Sequence, residues 1–370
     1  VNITQLTSGC ASTLWRDFAT YQNYLYVISD NCAGSSLQVF DLSPLPGVPT
    51  LVYNSNAHFS TAHTLTINSE SGRIYVSGAN TQMNGVLILD ILGHPTTPTL
   101  AASFFLGAYT HDTYVHNDTV YAFFGSNGIG SFDLVNLLNP YALGFIAGYP
   151  ESGYAHAGWG AKNNKKLVWI DETQDKGIHV GDISDPYSFV WESNFRSSLL
   201  APAHSNSMAH NIVVVGDIAY VSYYQDGLQV WNISNPAAPV RIGYYDTNVN
   251  ATYTGMFGAW GIHEPLPSGN ILISDTQNGL FVLQLNTVFP ANMVNFEAIA
   301  QQGGVQLNWS TESEVSCESF TVERSGNGSD FAAVSEVTAA GNSTSLLTYA
   351  SYDENPLPGR SFYRLRQNDF

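Results

Sequence analysis

The chain has 370 residues and a formal net charge of −18, and all four lysines (Lys162, Lys165, Lys166 and Lys176) lie within one short segment. Nucleic acid is therefore excluded as a partner, because binding it needs clustered cations that displace counterions. No run approaches the ~18 apolar residues that a membrane-spanning helix needs, so no transmembrane segment is expected; the length calls for one large architecture plus a smaller module.

In chain order, Asn2–Thr7 reads as one isolated strand. A first unit then runs through LWRDFATYQNYLYVISDNCAGSSLQVFDLS, with a hairpin near Leu14 to Thr20 and Leu25 to Ser29. Cys10 and Cys32 flank that hairpin symmetrically about Tyr21. In an antiparallel pair this symmetry places them opposite each other, which suits a disulfide worth roughly 3 kcal/mol and an oxidising compartment; two reduced cysteines are the alternative. Cys317 has no evident partner and reads as a small core residue.

Further units start at AHTLTI with His63, at THDTYV with His111, at AHAGWG with His156, at SMAHNIVV with His210 and at AWGIHE with Trp260. Asp17 takes the equivalent place in the first unit, and these register positions recur every 45 to 54 residues. Each unit holds about four short strands, and such a period is that of β-propeller blades. The sixth unit lacks a fourth strand, which Asn2–Thr7 can supply, closing the ring and leaving no bare sheet edge. The expected fold is all-β: a six-bladed propeller over residues 1–288. A β-sandwich of the same strands is the alternative, but it does not predict a regular period.

Phe289-Pro290 ends the repeat. Over 289–370, Val305–Trp309 and Phe320–Arg324 look like paired strands of a small antiparallel sandwich. It is read as cut short after the strand Phe362 to Arg366.

The motifs LQVFDLS, GVLILDI, GIGSFDL, GIHVGDIS, GLQVWNISNPAAPVRIG and GLFVLQL, with SMAHNIVV and GAWGIHEPLPSGNILISD, resemble the LVIVD-type repeats of bacterial "choice-of-anchor B" surface proteins. NFEAIAQQGGVQLNWSTESEVSCESFTVERSGNGSDF and SFYRLRQNDF resemble the fibronectin-like module of proteins exported by the type IX route of Bacteroidota. The resemblance implies an extracellular or cell-surface protein, and it speaks to location more than to activity.

Two readings of the register positions stay open. His63, His111, His156 and His210, with Asp17 as a fifth group and Asp112 and His263 as lesser candidates, can converge on a transition metal, copper or zinc, because neutral imidazole ligates such ions well. Alternatively, each His is a hydrogen-bonding post tying one blade to the next, inherited by duplication. Asp30, Asp226 and Asp275 end or follow second strands and offer oxygen ligands to calcium, but no DxDxDG spacing accompanies them. Tyr109, Tyr154, Trp159, Tyr223, Tyr224, Phe257 and Trp260 form either a sugar-stacking platform or packing between blades. No GxSxG, Walker or GxGxxG motif is present. The functional expectation is a binding, adhesion or structural module for an extracellular glycan, a protein or its own copies. A metalloenzyme built on the histidines is the alternative.

Overall fold

The computed structural model describes residues 15–30, 37–81, 83–137, 139–197, 206–248, 255–285, 291–343 and 345–369. Among them every regular element is a β-strand, and no helix is long and apolar enough to cross a membrane. Cys10, Cys32 and the strand expected at Asn2–Thr7 lie outside the described residues. The chain divides into two compact units, Val1–Leu285 and Asn286–Phe370.

The first unit is a succession of antiparallel meanders. The first sheet takes β1 (Arg16–Tyr21), β2 (Tyr24–Ser29), β3 (Leu37–Asp41) and β4 (Thr50–Ser55); the second takes β5 (Thr64–Asn68), β6 (Arg73–Ala79), β7 (Gly85–Asp90) and β8 (Thr99–Phe104). The third is built from β9 (Asp112–His116), β10 (Thr119–Phe123), β11 (Ile129–Asp133) and β12 (Tyr141–Ile146), the fourth from β13 (Ala155–Ala161), β14 (Lys166–Asp171), β15 (Ile178–Asp182) and β16 (Val190–Phe195). The fifth comprises β17 (Asn211–Val215), β18 (Ile218–Ser222), β19 (Leu228–Asn232) and β20 (Val240–Tyr245), and the sixth β21 (Ala259–His263), β22 (Asn270–Asp275) and β23 (Gly279–Gln284).

The second and third strands of most sheets are apolar on both faces, as in β7 (Val86 to Leu89) and β14 (Leu167 to Ile170), so they are buried between neighbouring sheets. Val168 and Ile170 share one core cluster with Val214, Ala219 and Val221 of the next sheet, while Leu167 and Trp169 pack with Tyr121 and Phe123 of the previous one. The fourth strands carry exposed Leu51, Leu100, Tyr141, Val190 and Val240, consistent with an outer position.

First strands lie beside one another in chain order, β1 by β5, β5 by β9, β9 by β13, β13 by β17 and β17 by β21. Joints between sheets are backbone bridges, Gly125 with Ala155 and Tyr224 with Ala259. Two glycines make these joints possible. At Gly125 (φ +59°) a Cβ would sit 2.4 Å from the Tyr154 ring, and at Gly258 (φ +104°) it would sit 2.3 Å from the Tyr224 carbonyl oxygen.

In the second unit β24 (Ala291–Gln301), β25 (Gly304–Ser325), β26 (Ala332–Ser343), β27 (Leu347–Asp353) and β28 (Phe362–Asp369) form one five-stranded sheet around β25. Val305–Trp309 and Phe320–Arg324 do not pair with each other; they belong to this single 22-residue strand. The first half of β25 pairs with β24 and β27, the second with β26 and β28, and register shifts mark the passage between them. Buried Glu314 holds the passage by accepting Thr311 Oγ1–H (2.7 Å) and Ala340 N–H (2.8 Å). Cys317 is buried with Leu307, Trp309, Phe320 and Val322.

A fully buried polar knot stiffens the fourth sheet. Asp171 accepts Tyr149 Oη–H at 2.7 Å and Gly153 N–H at 2.6 Å, His179 Nε2 lies 3.4 Å from it, and Trp191 Nε1–H donates to His179 Nδ1 at 3.3 Å. Asp171→Ala strands the Tyr149 and Gly153 donors and leaves the His179 ring nitrogen facing a void, and is expected to cost about 2–5 kcal/mol in guanidinium unfolding of the full chain. Asp171→Asn, which keeps an acceptor, is expected to cost less.

Candidate functional site

The strand pairings fix which residues are equivalent at the start of each first strand. Asp17 pairs with Ile28, Thr64 with Ser77, Asp112 with Phe123, Ala157 with Ile170, Asn211 with Ser222 and Gly261 with Ser274. The residues just before them are Arg16, His63, His111, His156, His210 and Trp260. The first sheet thus departs from the expectation: Arg16 holds the register position, and Asp17 lies one residue further on, paired with Ile28. In the fourth and sixth sheets the register residue is the extra residue of a β-bulge, His156 between Ala155 and Ala157 and Trp260 between Ala259 and Gly261. A bulge takes a side chain out of the in-out alternation of its strand and re-aims it.

The rings meet edge to edge in a belt. Centroid separations are 4.2 Å for His63–His111, 4.2 Å for His111–His156, 4.5 Å for His156–His210 and 4.3 Å for His210–Trp260. Tyr109 and Tyr154 pack behind His111, and Tyr224 behind His210. Groups from six sheets, Asp17, His63, His111, Asp112, His156, His210 and Trp260 among them, line one cavity of about 80 Å³. It has room for an ion and a few waters, and lies well below the ~300–1,000 Å³ of organic-ligand pockets.

Hydrogen bonds settle the imidazole tautomers. His111 Nδ1 lies 3.3 Å from the His156 carbonyl and His210 Nδ1 2.5 Å from the Trp260 carbonyl, while His63 Nδ1 lies 2.8 Å from Asp30 Oδ2. Each partner can only accept, so Nδ1 carries the proton and Nε2 keeps its lone pair. His156 Nδ1 has no hydrogen bond within ordinary limits, although the His210 backbone stands in the equivalent place. Burial, reinforced by the neighbouring imidazoles, pushes His111 down to about 3 and His156 well below the usual range. Burial also takes His210 down to about 3, against the pull of the Trp260 carbonyl. All three are neutral near pH 7, the form that ligates metals.

Glu172, one residue past the end of β14, completes the cluster. Donor atoms of His111, His156 and Glu172 all lie within 4.8 Å of one another. Glu172 Oε2 is 3.6 Å from His156 Nε2, its Oε1 is 4.0 Å from His210 Nε2, and Tyr224 Oη–H donates to Oε1. Burial raises its pKa above the ordinary carboxylate value. The sequence reading did not single out Glu172; the signal was there in the adjacent acids Asp171-Glu172, closing an otherwise apolar strand.

The remaining candidates separate from this cluster. Asp17 accepts Leu65 N–H at 2.8 Å from the second sheet and Phe18 N–H at 2.9 Å, so it ties two sheets together. Asp112 accepts Thr113 N–H at 2.7 Å. His263 is exposed, with Nδ1 2.7 Å from the Glu264 carbonyl. Asp30 is taken by His63, Asp226 accepts Ser207 Oγ–H, and Asp275 accepts Gln277 and Asn278 N–H, so the three acids considered for calcium serve three separate places.

Residues 207–247 match the model of the LVIVD repeat. No curated protein sequence matches the chain. Among solved structures, the chain is similar to a periplasmic gluconolactonase from Pseudomonas aeruginosa at 9% identity and a TM-score of 0.56, with 90% of this chain and 87% of that one covered. It is also similar to a candidate 6-phosphogluconolactonase from Bacteroides uniformis at 11% identity and a TM-score of 0.55, with 90% and 88% covered. At such identity the likeness speaks for the fold alone: the chain is a β-propeller repeat protein.

Burial pushes Asp17 up to about 6, and burial followed by the Asp17 charge pushes Asp112 up to about 7. The folded state therefore holds protons that the unfolded chain releases near the ordinary carboxylate value, and stability from these groups is lost as pH rises through 6 to 7. The depressed histidines act oppositely, and their contribution is lost as pH falls below 6.5 toward 3. Asp17→Asn keeps an acceptor for Leu65 and removes the buried ionisation. Its melting temperature relative to the parent is expected to rise between about pH 4 and about pH 8, read by circular dichroism; a flat difference would contradict the assignment.

Proposed function

We propose that this chain is a secreted or cell-surface binding module, a six-bladed propeller whose channel holds one transition metal ion at His111, His156 and Glu172, with His210 beside them. The observation that carries the metal reading is the set of fixed tautomers: at His111 and His210, Nδ1–H is committed to backbone carbonyls and Nε2 is left as the donor, the arrangement metal-ligating histidines commonly have. Three or four N and O donors without thiolate suit zinc or copper, and shifts of under ~1 Å would bring these atoms to bonding distance. The 80 Å³ of space leaves the ion with water, not an organic substrate, which favours a structural or binding role.

Among the described residues the sixth sheet ends at β23, where Leu280 and Val282 are exposed, and in this reading a sixth blade takes one further strand there. The second unit is a fibronectin-like sandwich, supported by the way β25 serves two groups of strands. The second reading is an extracellular metalloenzyme. The gluconolactonase of similar fold invites a lactone substrate, but a sugar lactone exceeds the channel space.

Elemental analysis after loading with Zn²⁺ or Cu²⁺ and gel filtration is expected to give about one ion per chain. Calorimetric affinity should fall at least ~100-fold in His156→Ala and ~10-fold in Glu172→Gln. A chain that retains no ion, and whose melting temperature is the same with and without chelator, would overturn the metal reading. Lactone hydrolysis dependent on the loaded ion would favour the enzyme.

A further inference from the structure

Beside the channel, and sharing Trp15, Arg16 and Trp260 with its lining, the first unit has a larger cavity, of about 450 Å³, between the start of β1 and the sixth sheet. Its apolar wall is Trp15, Phe257 and Trp260, and its polar wall includes Arg16, Asp275 and Gln277. We propose that this cavity binds a neutral carbohydrate of one or two sugar residues, the rings taking the apolar face of a pyranose and the polar wall taking its hydroxyls. The proposal rests on the binding-module reading and names its ligand class.

Trp15 and Phe257 are 43% and 47% exposed, a large share for such side chains at one spot, and the volume lies within the ~300–1,000 Å³ of small-molecule sites. Asp275 is only 7% exposed, and its two oxygens differ. Oδ1 accepts the N–H groups of Gln277 and Asn278 at 2.8 Å each, whereas Oδ2 has no hydrogen-bond donor among the described residues. A buried carboxylate oxygen without a donor is costly; Oδ2 is closed to solvent in this structure, and a small turn of the side chain toward the cavity lets a ligand hydroxyl supply the donor. Gln277 Oε1 accepts Gly258 N–H at 2.8 Å, which turns its amide NH₂ toward other acceptors. Charge selects among ligands. A cation meets the Arg16 guanidinium, an anion meets Asp275 and a chain of net charge −18, and a hydroxyl, donor and acceptor at once, suits both.

The test is titration of the full chain with D-glucose, D-galactose, N-acetyl-D-glucosamine and cellobiose, followed by tryptophan fluorescence and saturation-transfer NMR. Saturable binding of at least one sugar is expected, weakened at least about tenfold in Trp15→Ala and in Asp275→Asn. Asp275→Asn keeps Oδ1 for the turn, and exposed Phe257→Ala provides a second variant that folds irrespective of Asp275. His156→Ala in the channel should leave sugar binding unchanged. No saturable binding, binding indifferent to all three cavity variants, or a preference for tetramethylammonium over every sugar would each overturn the proposal. A chain that loads metal but binds no sugar refutes only this site; one that binds sugar but loads no metal refutes only the channel.

Discussion

Sheets arranged around an axis bring the backbones of their innermost strands together where little water reaches, and every buried carbonyl there needs a donor. This requirement shapes the centre of the molecule. Side chains of one sheet reach the backbone of the next: His111 to the His156 carbonyl, His210 and Ser222 to the Trp260 carbonyl, Thr64 to the His111 carbonyl and Thr66 to the Thr113 carbonyl. Each of these stitches runs from one sheet to its successor in chain order. An imidazole serves well because it spends one nitrogen on the stitch and retains the other.

Post and ligand, which the sequence presents as rival roles for the histidines, are therefore two ends of one ring. The bond that makes His111 or His210 a post also fixes the tautomer that leaves Nε2 basic. Crowding does the rest. Rings 4.2–4.5 Å apart cannot all be charged in a dry cavity, so they stay neutral, and Glu172 is the acid drawn up against them.

The repeat was legible because duplication preserves turn chemistry and strand spacing, and the four histidine positions found that way do form one belt. Asp17 was misplaced by one residue: as a potential ligand it resembles the histidines, whereas the pairing of Asp17 with Ile28, equivalent to that of Asp112 with Phe123, puts Arg16 in register. Residue type misled where only geometry could decide. Glu172 escaped because it belongs to no strand; the pairing of β13 with β14 sets it beside His156, and only the approach of the fifth sheet brings it to His210. In the second unit two well-patterned segments suggested a pair of strands, but the polar stretch between them, steadied by buried Glu314, carries the strand on without a turn. The place of Trp15 and Trp260 on one cavity was likewise hidden, since a cavity lined by the first and sixth sheets has no trace in local pattern.

The committed Nδ1–H groups of His111 and His210 have one more consequence. Each proton is buried, bonded to a carbonyl and shielded from solvent, so it exchanges slowly enough to be seen as a discrete imidazole resonance, displaced by the ring currents of the aromatic neighbours. The belt thus carries its own spectroscopic label. Anything that enters the channel and claims the opposite nitrogen would be read directly as a shift of these two lines, without adding a probe to the protein.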